Sequence, residues 1–134
     1  MKSHLNHIQI NINPKNMVFY KELMKFLGWS VIFEDEEFAG YGSGQEGSVW
    51  FVKSPKSDQS DSDMVGISHV GLSVSEMKDI DEAVTFLKSK EIECLFDTPK
   101  HRPEFAGSKD ETYYQVLFRS PDNVLFEIMY TGKK

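Results

Sequence analysis

The chain has 134 residues, of which 40% are apolar and 27% charged, and a net charge of −6. This apolar content is enough for a packed core, and the acidic balance argues against a nucleic-acid partner, whose binders usually present a basic face. The single cysteine, Cys94, excludes an intrachain disulfide and predicts a cytoplasmic setting, and no stretch resembles a signal peptide or reaches the ~18 apolar residues of a membrane span.

In chain order, His7-Ile8-Gln9-Ile10-Asn11-Ile12 alternates polar and apolar and predicts a half-buried strand. A helix is expected from Pro14 to about Leu27, with Gly28 as its terminator. Strands follow at Trp29–Glu34, Phe38–Gly42 and Ser48–Lys53, divided by an acidic turn, Glu34-Asp35-Glu36-Glu37, and a glycine-rich one. The latter, Gly42-Ser43-Gly44-Gln45-Glu46-Gly47, matches G-x-G-x-x-G literally. A strand follows it where a nucleotide fingerprint needs a helix, so it is taken as a hairpin turn. Ser54–Asp63 is rich in Ser, Asp and Lys and predicts a polar linker.

The alternation of the first strand then returns in His69-Val70-Gly71-Leu72-Ser73-Val74, again heading a helical pattern, from Ser75 through Leu87. Strands are expected at Glu93–Asp97, Tyr113–Arg119 and Val124–Tyr130, with a long loop over Thr98–Thr112 covering a site. Each half is therefore β-α-β-β-β. The predicted class is α+β: two βαβββ modules, about 4–54 and 66–131, joined by a linker at 55–65 into one domain. They should form a curved mixed sheet around a metal and substrate cavity.

Two histidines at matching places on repeated strands, His7 and His69, form one half of a metal-ligand pattern. Glu127 supplies the other, on the closing strand among Leu125 and Met129, where a carboxylate needs a proton, a partner or a cation. Two His and one carboxylate suit a divalent ion with open coordination positions, among them Fe, Mn, Co, Ni or Zn. The alternatives are two solvated histidines and a Glu127 paired with Arg119 or a lysine. Once the long loop is taken as an insertion, Trp50 stands where Glu127 stands in the second module, and is expected to wall the cavity or to pack in the core. His101 and Arg102 of the loop, with Tyr113 and Tyr114, complete the candidate pocket; one of the two tyrosines must face the cavity and the other the core.

The segments LNHIQINI and ISHVGLSV, the helix MVFYKELMKFLGW and the closing hairpin YYQVLFRSPDNVLFEIMY resemble, in this order, the vicinal oxygen chelate superfamily. That superfamily comprises glyoxalases, extradiol dioxygenases, fosfomycin-modifying enzymes and bleomycin-binding proteins. The resemblance implies a divalent metal held by His7, His69 and Glu127. It puts Trp50 at the fourth ligand position, a glutamate in glyoxalase I, so glyoxalase I activity is not expected. It further implies an enzyme acting on a small oxygen-bearing substrate, of lyase, isomerase, transferase or ring-cleaving dioxygenase type, and modules paired within a chain or across a homodimer. The alternative is a non-catalytic small-molecule binding protein of the bleomycin-resistance type.

Overall fold

The computed structural model describes residues 1–44 and 47–134. These form two compact units, Met1–Asp58 and Gln59–Lys134. The expected linker is thus divided between them. Its later part lies on the second unit, where Ser60 N donates to Asp122 O (3.1 Å) and Gln59 Nε2 to Pro121 O (3.3 Å).

In the first unit β1 (His7–Ile12) leads through a 3-10 turn (Pro14–Asn16) into α1 (Met17–Phe26), then β2 (Ser30–Glu34), β3 (Phe38–Gly42) and β4 (Ser48–Lys53). Asn13 opens the helical segment: its side chain accepts from Lys15 N, and Pro14, which has no N–H to satisfy, takes the first position. Gly28 closes it as expected, at φ +77°. The sheet order is β1-β4-β3-β2, with β1 parallel to β4 and the other pairs antiparallel. Alternation decides which face is buried. Ile10, Ile12, Ala39, Tyr41, Val49 and Phe51 lie in the core with Met17, Tyr20, Leu23 and Met24 of α1, and Tyr20 stacks on Phe51 at 4.5 Å. Full burial of each large apolar side chain stabilises the unit by roughly 1.5–3 kcal/mol. His7, Gln9, Trp50 and Phe38 take the opposite face by the same alternation.

The acidic run is a turn. Asp35 Oδ1 accepts from the backbone N–H groups of Glu37 (2.8 Å) and Phe38 (2.7 Å), and Glu37 pairs with Lys53. In the glycine-rich turn, Gln45 and Glu46 lie outside the described residues; Gly42 and Ser48 at its ends pair across β3 and β4.

The second unit repeats the plan: β5 (Val70–Ser73), α2 (Lys78–Ser89), β6 (Leu95–His101), a 3-10 turn (Pro103–Phe105), β7 (Glu111–Arg119) and β8 (Leu125–Lys133). Its sheet order is β5-β8-β7-β6, with β5 parallel to β8. Ile80, Ala83 and Leu87 of α2 are buried with Val116, Phe118, Phe126 and Ile128, and Phe118 stacks on Phe126 at 5.6 Å. The tight turn between β7 and β8 places Asn123 at φ +64°, a conformation asparagine tolerates. The molecule is therefore α+β, built from two βαβββ modules, each with its own four-stranded mixed sheet.

The expected long loop is the main correction. Strand β6 runs on to His101, and β7 begins at Glu111, so only residues 102–110 connect them. Positive φ at Phe96 and Asp97 breaks the strand's register between Leu95 and Lys100. The Thr98 hydroxyl spans the break: Oγ1 donates to Leu95 O (2.6 Å) and accepts from Leu117 N (3.1 Å). A side chain thus supplies ladder bonds that a period-two pattern does not reveal.

Candidate metal centre

In the second unit Glu127 pairs with Gly71 across β5–β8 and with Leu117 across β7–β8. His69 stands two residues before Gly71, so alternation puts it on the same face as the carboxylate. The Glu127 side chain is 8% exposed and His69 41%, and His69 Nε2 lies 3.1 Å from Glu127 Oε2. The other carboxylate oxygen, Oε1, accepts from the Tyr113 hydroxyl at 2.7 Å. Burial first, then this hydrogen bond and the charge of Glu127, push the Tyr113 phenol up to about 12, opposed by the Arg102 guanidinium. Arg119, a possible partner of Glu127 on sequence grounds, donates from Nη1 to Ser62 Oγ (2.9 Å).

In the first unit His7 is exposed, and its Nδ1 is 2.8 Å from Asn6 Oδ1. With the proton on Nδ1, that contact leaves the Nε2 lone pair directed away from Asn6, where a metal ion could take it. His7 and Trp50 border a cleft of about 380 Å³ together with Asn6, Gln9, Phe38 and Ser48. The indole is fixed by Nε1 donating to Ser48 Oγ (3.0 Å) and by Phe38, whose ring centroid is 5.3 Å away. It lies across Gly40, its ladder partner, where any Cβ would overlap the six-membered ring.

The register brings out the correspondence between the units. Trp50 pairs with Gln9, two residues past His7, while Glu127 pairs with Gly71, two residues past His69. The remaining candidates separate by face. Tyr113 lies with Glu127, and Arg102 is tied to it through Arg102 N donating to Tyr113 O (2.7 Å) and through Phe105. That ring meets the Arg102 guanidinium at 4.9 Å and the Tyr113 ring at 5.5 Å. Tyr114 and His101 stand elsewhere. They stack on each other at 4.2 Å, the Tyr114 hydroxyl donates to Asp81 Oδ1 of α2 (2.9 Å), and His101 Nδ1 bonds Thr112 Oγ1 (2.7 Å). Cys94 is half-buried, and burial raises its thiol pKa, which disfavours the thiolate a nucleophile needs.

Among the described residues no group of three His, Cys, Asp or Glu side chains is placed to hold a metal ion. Taken by itself, the second unit offers an imidazole nitrogen and a buried carboxylate oxygen side by side, a donor pair whose chemistry fits a divalent transition metal. The first unit offers one further imidazole. Among the described residues no helix is long and apolar enough to cross a membrane.

No protein-family profile matches the sequence, and no curated protein does. Solved structures do match. A candidate glyoxalase from Bacillus halodurans superposes with a TM-score of 0.72 at 18% identity, covering 95% of this chain and 93% of that one. A glyoxylase/bleomycin resistance protein/dioxygenase domain from Frankia gives 0.64 at 16%, covering 98% of each chain. The fosfomycin resistance protein FosX from Listeria monocytogenes gives 0.63 at 15%, covering 97% and 94%. The repeated βαβββ topology and these superpositions together establish that the chain has the fold of the vicinal oxygen chelate superfamily, that of glyoxalases, bleomycin resistance proteins and dioxygenases.

Proposed function

We propose that this chain is a metal-dependent enzyme acting on a small oxygen-bearing substrate, with one divalent ion (Fe, Mn, Ni, Co or Zn) held by His7, His69 and Glu127. The observation that carries this reading is the buried Glu127 carboxylate facing His69 Nε2 at 3.1 Å on a sheet face it shares with Leu117 and Leu125. A carboxylate taken out of water beside apolar neighbours is a standing cost that a cation relieves. Bound there with open positions, the ion would supply Lewis-acid stabilisation of negative charge developing on a substrate oxygen. His7 and His69 contribute neutral nitrogen donors, Glu127 the balancing charge, and Trp50 with Phe38 an aromatic wall. With an indole at the Glu127-equivalent place in the first unit, the chain lacks the carboxylate that a proton-shuttling glyoxalase I reaction uses there. Isomerisation, addition or ring cleavage on another substrate is the reading we favour. His7 would come from the same chain or from a partner in a homodimer.

The aromatic cleft beside Trp50 supports a second reading, a small-molecule sequestration protein that uses the fold without catalysis. Elemental analysis of untagged wild type, His69→Ala and Glu127→Ala separates the two. The enzyme reading expects close to one equivalent in wild type, and loss in both variants. Less than about a tenth of an equivalent in wild type, even after incubation with Fe(II), Mn(II), Ni(II) or Zn(II), would rule it out.

A further inference from the structure

We infer that Tyr113 is a positioning residue for Glu127, fixing which of its two carboxylate oxygens is left to bind an ion. This rests on the ligand role proposed above for Glu127.

The two oxygens have different surroundings. Oε1 takes the Tyr113 hydroxyl at 2.7 Å, while Oε2 faces His69 at 3.1 Å. A carboxylate held at one oxygen cannot swing freely, and it presents the other as a single directed donor. Outer hydrogen bonds of this kind orient a ligand, and their loss typically weakens metal binding about 10–100-fold.

Tyr113 is itself held in place. In the ladder Leu117, and not Tyr113, stands opposite Glu127; Tyr113 pairs with Thr131. The hydroxyl therefore reaches back along the sheet, a span that requires the length of a phenol. The Tyr113 carbonyl accepts from Arg102 N at 2.7 Å, and the edge-on Phe105 ring packs against the phenol at 5.5 Å and 76°. Behind Phe105 the Arg102 guanidinium lies over its ring, and Arg102 Nε donates to Glu104 Oε1 at 2.6 Å. The Arg102–Phe105 turn thereby braces the phenol, and the phenol fixes the carboxylate. Tyr114, next in sequence, provides the contrast, because its hydroxyl is spent on Asp81.

The test is calorimetric titration with Mn(II) and visible absorption with Co(II), on the untagged full chain of wild type, Tyr113→Phe, Tyr114→Phe and Glu127→Gln. Tyr113→Phe should raise the Mn(II) Kd about 10–100-fold and change the Co(II) bands, whereas Tyr114→Phe stays within about twofold. Wild-type affinity and an unaltered Co(II) spectrum in Tyr113→Phe would overturn the inference while leaving Glu127 a ligand. A wild type that binds neither ion, or a Glu127→Gln variant that binds as wild type does, would overturn the ligand role and this inference with it. Should Tyr113→Phe lose its cooperative melt, the near-ultraviolet difference spectrum of wild type on Co(II) loading decides. A perturbed tyrosine band supports the inference, and an unperturbed one overturns it.

Discussion

Trp50 and Glu127 occupy the same rung of two matching ladders: each lies opposite the second residue beyond a histidine, Gln9 after His7 and Gly71 after His69. One module puts an indole at that rung and the other a carboxylate. Each has a glycine as a ladder partner. Gly40 leaves room for the indole, and Gly71 leaves room for the tip of Met129 on the neighbouring strand. The two modules thus share this rung of the ladder and carry different chemistry on it.

Gly40→Ala should destabilise the protein by about 1–3 kcal/mol, because the new methyl overlaps a rigid bicyclic ring already fixed by Ser48 and Phe38. Gly71→Ala should be milder, since the overlapped atom is the end of the flexible Met129 side chain. Urea melts of both variants check the order, and an equal or reversed effect would contradict this account of Trp50.

Glu127→Leu should change the stability of the metal-free protein by no more than about 1 kcal/mol in either direction: it removes a buried carboxylate beside Leu117 and Leu125, and the two groups that lose their acceptor, His69 and Tyr113, are exposed enough to be hydrated. The same variant should bind no metal. A loss of more than about 2 kcal/mol in chelator-treated protein would instead assign the His69–Glu127–Tyr113 group a structural role.

Burial and the Asp81 hydrogen bond push Tyr114 up from 10.0 to about 12. A phenol whose pKa is raised on folding contributes stability that is fully present below its unfolded pKa. That contribution is lost as pH rises through the folded value. Wild type should therefore lose stability across the window from pH 10 to about 12, and Tyr114→Phe should lose less over that window. Denaturant melts at stepped alkaline pH measure this, with identical slopes as the contrary result.

The architecture was legible because it depends on whole-segment patterns. The alternation headed by His7 returned at His69, Gly28 ended α1 at positive φ, and Asn123 took the turn position that needs it. The rung shared by Trp50 and Glu127 was also legible, once the second half was allowed an insertion. The end of β6 was not, because its continuity runs through the Thr98 hydroxyl and not through a hydrophobic period. Nor could the chain say which of Tyr113 and Tyr114 faces the carboxylate. Alternation guarantees that they part, but only pairing with β8 decides the direction. His101 went with Tyr114 for the same reason, as its rung partner across β6–β7.

Anomalous diffraction at the zinc edge, from crystals of the untagged chain soaked in Zn(II), locates the ion and its ligands in one measurement. A peak is expected about 2.0–2.2 Å from His69 Nε2 and Glu127 Oε2, completed by a nitrogen of His7. No peak there, or a peak bound by other side chains, would contradict this ligand set.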